Sequence, residues 1–405
     1  MNVAVLGYGT VGSGVVEVIG LNQEKLARQI GEALNIKYVL DLRDFPGDPV
    51  QDKIVHDFDV ILNDDSVKVV VEVLGGTNPA YDFTKRSLMA GKSVVTSNKE
   101  LVEKYGTELL VIAKEHNVNY LFEASVGGGI PIIRPMNTSL TANEITEVTG
   151  ILNGTTNYML TKMADEGYNY QEILEIAQEN GYAEKNPSAD VLGHDACRKI
   201  AILASLAFGK EVNFEDIKTE GITLVTKRDF EFAKHFGASI KLLATCKKVD
   251  DKFYAWVAPM MIKKDHPLYN VNDVYNGIFV HGNAVGDVMF YGRGAGKMPT
   301  ASAVVSDVVD AVLNSGKCLM EGWSSEKLEL ADVEEQEFRF YVRISDIAAQ
   351  REGQVHDLFG EDVELVKIPE EEYYFAFITN PITLGEFEKK MLRMDKVLMK
   401  MRTNF

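Results

Sequence analysis

The chain opens with a glycine-rich turn between an apolar strand and an apolar helix. Residues 3–6 are Val-Ala-Val-Leu, and Gly7, Gly9 and Gly12 follow in the spacing G-x-G-x-x-G. Gly7 permits a tight turn, Gly9 lets the backbone approach a pyrophosphate, and Gly12 lets the helix pack closely on the strand. The free N–H groups at the start of the helix suit phosphate oxygens. We therefore predict a doubly wound parallel α/β domain that binds a dinucleotide.

Two charged residues follow the second predicted strand, at the place where a ribose-reading residue is expected. The strand covers residues 36–40, and Asp41 and Arg43 come directly after it. A carboxylate here suits the 2′-hydroxyl of NAD, whereas an arginine suits the 2′-phosphate of NADP. The sequence supports both cofactors at this position.

A lysine stands at the carboxyl end of a later strand. Residues 93–96 are Ser-Val-Val-Thr, and Lys99 follows after two polar residues. Ligands of open α/β sheets bind at the carboxyl ends of the strands, so we predict that Lys99 belongs to the site. The alternative is a lysine that begins a helix and faces water.

The loop after a strand predicted over residues 119–123 combines a carboxylate with three glycines. Glu123 ends that strand, and residues 127–129 are all glycine. Such a loop exposes backbone oxygens, and carboxylate and carbonyl oxygens are the ligands of hard cations. A cation site and a flexible hinge into the next domain explain this loop equally well.

Four charged residues lie in a loop and the helix that follows it. Glu184 and Asp190 are in the loop, and Asp195 and Lys199 are in a helix predicted over residues 194–208. The last two are four apart, so they share one face and their charged ends can meet. That face then becomes apolar, which indicates a partly buried site. An ordinary Asp–Lys helix salt bridge is the alternative, and the two further carboxylates favour a substrate pocket.

Composition and charge limit the class of protein. The chain has 405 residues, 46% of them hydrophobic, and a net charge of −18. Its length suits two or three domains, and its acidity argues against nucleic acid or an anionic membrane as partner. The chain begins directly with a strand, without a secretion signal or an apolar run of membrane-spanning length. Three widely spaced cysteines fit reduced thiols, so we expect a cytoplasmic protein.

The pattern of elements predicts three domains. A nucleotide-binding domain covers 1–135, with 300–320 packing back on it, and 136–299 form an α+β domain for substrate binding and dimerisation. The pattern of residues 337–405 predicts the element order βαββαβ, which resembles an ACT-type regulatory module. The usual Pro-Gly turn after its first strand is absent, and its first helix looks short. Binding of an amino-acid effector such as threonine and a purely structural tail are both open.

Several motifs in order resemble the homoserine dehydrogenase family. They cover residues 7–12, 75–80, 91–99, 150–158, 181–199 and 294–296. The resemblance implies the reversible, NADP- or NAD-dependent interconversion of L-homoserine and L-aspartate 4-semialdehyde in threonine and methionine biosynthesis. It also implies a homodimer or homotetramer, and the direct start at the nucleotide-binding strand predicts a monofunctional form.

The resemblance implies a role for individual residues. Lys199 matches the acid–base lysine, and Lys99 matches the lysine near the nicotinamide. Glu184 and Asp195 match residues that hold the substrate, and Asp190 matches a further carboxylate of the pocket. The cofactor contacts that it implies are Gly7, Gly9, Thr10, Val11, Gly12, Arg43, Lys99 and Gly296. The sodium site that it implies, which potassium could also fill, comprises Glu123 and the carbonyls of Val126, Gly128 and Ile130.

The physical chemistry of these residues agrees with the implied reaction. Hydride addition to an aldehyde builds charge on oxygen, which a lysine can stabilise and protonate, and carboxylates suit a substrate ammonium group. A dehydrogenase for another amino-acid semialdehyde has the same needs. A non-catalytic sensor that binds nucleotide and amino acid does not need Lys99, Asp195 and Lys199 together. The three residues favour an enzyme.

Overall fold

Strands and helices alternate over the first part of the chain in the computed structural model, which describes residues 1–368 and 373–405. The strands are β1 (Asn2–Leu6), β2 (Asn35–Leu40), β3 (Ile54–Val55), β4 (Val67–Glu72), β5 (Ser93–Thr96) and β6 (Tyr120–Leu121). The helices are α1 (Thr10–Leu21), α2 (Gln23–Ile30), α3 (Phe58–Leu62), α4 (Ala80–Met89) and α5 (Lys99–Glu115).

These strands form one parallel sheet in the order β3-β2-β1-β4-β5-β6. β1 and β4 are mostly valine, alanine and leucine, and nearly all their side chains are buried, as expected for strands covered by helices on both faces. The strand order reverses between β1 and β4, and ligands of such sheets bind beside that point at the carboxyl ends. The predicted doubly wound α/β fold is confirmed.

The strand predicted over residues 119–123 is wrong at its carboxyl end. β6 stops at Leu121, and a 3-10 turn covers Glu123–Ser125. The Glu123 carboxylate accepts hydrogen bonds from the backbone N–H groups of Ile132, Ile133 and Arg134 at 2.6, 2.9 and 2.7 Å. The chain leaves the sheet early because Glu123 bonds to a segment about ten residues further on.

A second sheet with helices follows. The strands of this region are β7 (Ile145–Ile151), β8 (Lys210–Glu211), β9 (Lys218–Thr219), β10 (Ala238–Val249), β11 (Lys252–Lys263), β12 (Tyr275–Gly282) and β13 (Gly286–Arg293). All of them except β8 belong to the second sheet, and β8 pairs with a later strand instead. The helices are α6 (Gly154–Glu166), α7 (Tyr170–Glu179), α8 (Ser188–Val191), α9 (His194–Phe208), α10 (Lys227–His235) and α11 (Lys297–Leu313).

Helix α11 returns from this region to the first sheet and packs against α1. A Cβ at Gly14 would lie 2.9 Å from the Lys297 carbonyl oxygen and 3.0 Å from the Cβ of Ala301, so glycine is needed for this close approach. The Lys297 ammonium also pairs with Glu17 at 2.7 Å. These contacts hold the loop before α11 beside the glycine-rich turn.

The tail adds strands β14 (Ser324–Lys327), β15 (Glu337–Ile344), β16 (Leu365–Lys367), β17 (Phe375–Ile378), β18 (Ile382–Thr383) and β19 (Val397–Thr403), with helices α12 (Ala348–Phe359) and α13 (Leu384–Met391). The order β19-β15-β17-β16 and the chain order βαββαβ agree with a ferredoxin-like module, with the short β18 in addition. The expectation of a short first helix is wrong, because α12 has twelve residues and buries Val355, Leu358 and Phe359 on one face.

The second sheet and the tail are joined through their strands. Among the described residues the sheet order is β13-β12-β7-β10-β11-β19-β15-β17-β16, and β19 pairs parallel with β11 at Met260–Arg402 and Met261–Thr403. The tail therefore continues the sheet of the preceding region. None of the described helices combines the length and the apolar character that crossing a membrane requires.

Candidate active site

The turn after β1 has the shape that a dinucleotide needs. Gly7 adopts φ +100°, and a Cβ at Gly12 would lie 1.9 Å from the Gly7 carbonyl oxygen, so both positions require glycine. A Cβ at Gly9 would meet nothing within 4 Å. The open space at Gly9, beside the start of α1, leaves room for a pyrophosphate close to the backbone.

Asp41 and Arg43 form one unit at the end of β2. The guanidinium of Arg43 donates two hydrogen bonds, both of 3.0 Å, to the two carboxylate oxygens of Asp41, which also accepts the Tyr8 N–H at 2.8 Å. Arg43, and to a lesser extent the backbone bonds, hold the pKa of Asp41 well below its usual range. Because the Arg43 side chain is 62% exposed, the unit presents a cation rather than a carboxylate to solvent.

A chain of buried polar groups supports the start of α5 at the carboxyl edge of the sheet. The Asn98 side chain caps the helix, and its amide donates to the Gly76 carbonyl at 2.6 Å. Thr96 donates to the Glu72 carboxylate at 2.6 Å, and burial raises the pKa of this fully buried acid. Together these groups fix the position from which Lys99 extends. The prediction from sequence did not include Glu72, whose only signal is a charged residue within an apolar strand.

The centre of the site is one carboxylate between two lysines. Asp195 Oδ2 lies 2.7 Å from Lys199 Nζ, four residues along α9, and Asp195 Oδ1 lies 3.2 Å from Lys99 Nζ of α5. The Asp195 side chain is 8% exposed, Lys199 12% and Lys99 37%. Burial alone would raise the pKa of Asp195, but the charges of Lys199 and Lys99 outweigh it and hold that pKa low. The structure thus brings together three of the predicted residues.

Asn153 connects this centre to Asp190. Its amide nitrogen donates to Asp190 Oδ1 at 2.7 Å and to Asp195 Oδ2 at 2.9 Å. Burial raises the pKa of Asp190, and the hydrogen bond from Asn153 partly opposes that rise. The backbone carbonyl of Leu152 accepts a hydrogen bond of 2.8 Å from Lys199 Nζ. The prediction from sequence gave Asn153 no role, although an Asn-Gly pair between a strand and a helix was a usable signal.

The other predicted residues are more dispersed. Glu184 is exposed, and its backbone carbonyl accepts a hydrogen bond from Gln178. Among the described residues, no hydrogen bond or ion pair joins its side chain to Lys99 or Lys199. Thr10 is exposed and Val11 half-buried at the start of α1. Gly296 adopts φ +117° immediately before α11, and therefore lies one residue from the contact between that helix and α1.

The predicted cation loop packs against the loop after β13. The Gly129 N–H donates to the Arg293 carbonyl at 3.1 Å, and a Cβ at Gly128 would lie 2.4 Å from the Gly294 carbonyl oxygen. The Glu123 carboxylate is used by three backbone N–H groups, so any ion here would depend on backbone carbonyls. In the part of the chain that the structure describes, no group of three or more His, Cys, Asp or Glu side chains is placed to hold a metal.

The parallel sheet, the glycine-rich turn and the paired lysines at the carboxyl edge define an NAD(P)-dependent dehydrogenase. Two family models match the chain, one described as homoserine dehydrogenase over residues 131–309 and one as homoserine dehydrogenase, NAD binding domain, over residues 7–123. The chain belongs to the homoserine dehydrogenase family.

Individual relatives agree with this assignment. The homoserine dehydrogenase of Bacillus subtilis is 44% identical over 321 residues, which cover 78% of this chain and 73% of that protein. The crystal structure of a homoserine dehydrogenase from Thiobacillus denitrificans superposes with a TM-score of 0.91 at 30% identity and covers 100% of this chain and 98% of that one. A hyperthermophilic archaeal homoserine dehydrogenase mutant in complex with NADPH matches with a TM-score of 0.66 at 30% identity, covering 77% of this chain and 97% of that one.

Proposed function

We propose that this enzyme interconverts L-homoserine and L-aspartate 4-semialdehyde with NADP or NAD, and that Lys199 is its acid–base residue. The observation that carries the proposal is the Asp195 carboxylate, which holds the ammonium groups of Lys199 and Lys99 at the carboxyl edge of the nucleotide-binding sheet. The bound nicotinamide would accept or supply a hydride at that edge.

Lys199 is suited to move the proton. In the reducing direction its ammonium group donates a proton to the aldehyde oxygen as charge builds there, and in the oxidising direction the neutral amine accepts the proton of the alcohol. Asp195 and the Leu152 carbonyl orient Lys199 Nζ at 2.7 and 2.8 Å. Lys99 contacts the other oxygen of Asp195, and it would add a second positive charge near the substrate oxygen.

The substrate ammonium group requires a carboxylate that the lysines do not already use. Both oxygens of Asp195 face lysines, whereas Asp190 uses only Oδ1 in the hydrogen bonds that the described residues form. We assign Asp190 Oδ2 as the main acceptor for the substrate ammonium, with Asp195 supporting it. Exposed Glu184, predicted to hold the substrate, would complete the pocket from the preceding loop.

The direct test is reduction of NADP⁺ and NAD⁺ by the purified chain with L-homoserine, followed by absorbance. Longer hydroxy amino acids and simple alcohols serve as matched substrates, and parallel reactions contain sodium, potassium or only an organic cation. Reduction with homoserine but not with simple alcohols is the expected result. Reduction only with a longer hydroxy amino acid would indicate a different semialdehyde. Nucleotide binding without any reduction would contradict the proposal and favour a sensor.

We propose NADP as the preferred cofactor because Arg43 neutralises Asp41. The Nε and Nη2 atoms of Arg43 bond to Asp41, and no hydrogen bond between described residues uses Nη1, which leaves that side of the guanidinium for a 2′-phosphate. A bare Asp41 would instead accept the 2′-hydroxyl of NAD and repel the phosphate.

The expected result for Arg43→Ala is a KM for NADP⁺ at least about 10-fold higher, since one charge-assisted contact to phosphate contributes about 1.5–3 kcal/mol. The KM for NAD⁺ should stay the same or fall, because Asp41 becomes available to the ribose. Initial rates with the two cofactors measure the effect, and Arg28→Ala, an exposed arginine on α2, is the matched control. An equal rise in KM for both cofactors would show that Arg43 does not bind the 2′-phosphate.

The loop of Glu123, Val126, Gly128 and Ile130 is proposed to bind sodium or potassium through its backbone carbonyls. Two further acids lie close by, because the Glu123 N–H donates to Asp307 at 2.8 Å and Arg134 pairs with both Asp307 and Asp310. Burial and the neighbouring Glu123 raise the pKa of Asp307 to about 7, and a cation bound in this loop would favour the charged forms of these acids. We also propose that the enzyme is a homodimer or homotetramer.

A further inference from the structure

We propose that Asn153 is a positioning residue that holds Asp190 and Asp195 together as one substrate-binding pair. This inference rests on the proposed function, because it concerns the same pocket. Asn153 ends the segment after β7 and caps α6, so it belongs to neither of the elements that carry the two carboxylates, α8 and α9. It therefore connects three elements at one point.

Every hydrogen-bonding group of this amide is used. Oδ1 accepts the Thr156 N–H at 2.9 Å and the Thr156 hydroxyl at 3.0 Å, and Nδ2 donates to Asp190 at 2.7 Å and to Asp195 at 2.9 Å. An amide has two donor and two acceptor sites, so this set is complete. The helix cap fixes the orientation of the side chain, which directs both N–H groups towards the carboxylates.

The bridge determines which carboxylate oxygens remain for a ligand. Asp190 Oδ1 and Asp195 Oδ2 face the same nitrogen, so the two acids cannot turn apart, and Asp190 Oδ2 is left for the substrate ammonium. The residue before Asn153 takes part in the same arrangement, since the Leu152 carbonyl holds Lys199 Nζ. A single backbone segment thus sets the distance between the proton-transfer group and the group that holds the ammonium.

Only a neutral residue with two donors can act in this way. Aspartate at position 153 would keep the helix cap and add a third negative charge, and serine would keep the cap while removing both N–H groups from the carboxylates. The two variants therefore separate capping from bridging. An asparagine at the neighbouring position 154 could not replace Asn153, because a Cβ on Gly154 would lie 2.9 Å from the Val274 carbonyl oxygen.

The charges around Asp190 predict that loss of the Asn153 amide changes the pH dependence of substrate binding. Burial raises the pKa of Asp190, Asp195 adds to the rise, and Asn153, Lys199 and Lys99 oppose it. Loss of the Asn153 hydrogen bond moves that pKa further up. Asp190 is then protonated, and unable to hold an ammonium group, at a higher pH than in the wild type.

The test compares wild type with Asn153→Ser and Asn153→Asp. For Asn153→Ser we expect a KM for L-homoserine at least about 10-fold higher, because hydrogen bonds to charged groups are lost. We also expect a smaller loss in kcat, an unchanged KM for NADP⁺, and an acid limb of kcat/KM displaced to higher pH. Asn153→Asp should lose more kcat, because its charge draws Lys199 away from the substrate oxygen. Asn169→Ala removes an exposed cap from α7 and should leave all constants unchanged.

The outcomes separate this inference from the proposed function. Wild-type enzyme without homoserine-dependent reduction contradicts the proposed function itself. An active wild type together with an Asn153→Ser variant of normal KM and unmoved pH profile overturns the positioning role alone. A Ser variant with a lower melting temperature and normal kinetic constants would likewise overturn it, since that residue would then serve only the helix.

Discussion

Replacing Lys199 by alanine should lower turnover by about 10³-fold while leaving cofactor affinity within about threefold of wild type. A positioned acid–base group contributes about 10²–10⁴-fold to rate, and Lys199 also places a positive charge at the oxygen that becomes negative. Among the described residues, no hydrogen bond or ion pair joins the glycine-rich turn that would bind the pyrophosphate to Lys199 or Asp195. Measuring kcat with L-homoserine, and NADPH affinity by fluorescence titration, separates the two effects.

Two further variants make this result specific. Lys199→Met keeps most of the volume and length of the side chain without its charge, so it distinguishes loss of chemistry from loss of packing. Lys162→Met is the matched control, because Lys162 and Glu166 form an i,i+4 ion pair of the same 2.7 Å on a more exposed helix face. Lys199→Met with near-normal turnover would remove Lys199 from the mechanism.

Local patterns in the sequence predicted the elements and the one contact that lies within an element. The helix predicted over residues 194–208 agrees with α9 at both ends, and the i,i+4 rule placed Asp195 against Lys199. The glycine spacing predicted the turn after β1 because its requirements, a positive φ at Gly7 and no side chain at Gly12, are local. Such features depend on neighbouring residues alone.

The sequence predicted that residues 300–320 pack back on the first domain, but it did not predict contacts between individual residues of distant segments. Lys99 and Asp195 are far apart in sequence, and Asn153 reaches both carboxylates only because β7, α8 and α9 meet. The sequence analysis gave Gly14 no role, although it permits the close approach of α11. Spacing along the chain carries no information on these approaches, so the sequence could propose the charged residues but not how residues of different segments are paired.

Replacing Asp195 by asparagine should affect both activity and stability. The variant leaves the ammonium groups of Lys199 and Lys99 without their shared partner, so the lysines repel each other and lose their orientation. We expect turnover to fall about 10³-fold, comparable to the loss of the acid–base group itself. Removing one partner of a buried pair costs about 3–5 kcal/mol, and we expect about 2–3 kcal/mol here because Lys99 is partly screened by solvent.

The same substitution has a defined dependence on pH. The pKa of Asp195 is lowered in the folded state, so its contribution to stability is present above the unfolded value of about 3.9 and is lost as pH falls through the folded pKa. The difference in urea midpoint between wild type and Asp195→Asn should therefore be largest near neutral pH and should shrink below about pH 4.

Asp190→Asn provides the matched comparison, because the two acids share Asn153 but only Asp195 contacts the lysines. Its main effect should be a higher KM for L-homoserine with a smaller loss of kcat, and little change in the urea midpoint, since burial raises the pKa of Asp190 in the folded state. The charge of a carboxylate whose folded pKa is raised opposes folding near neutral pH, so its removal should not lower the urea midpoint. If both variants lost kcat and stability equally, Asp195 would have no special role in holding the lysines. The proposal that Asp195 orients the lysines while Asp190 binds the substrate ammonium would then be wrong.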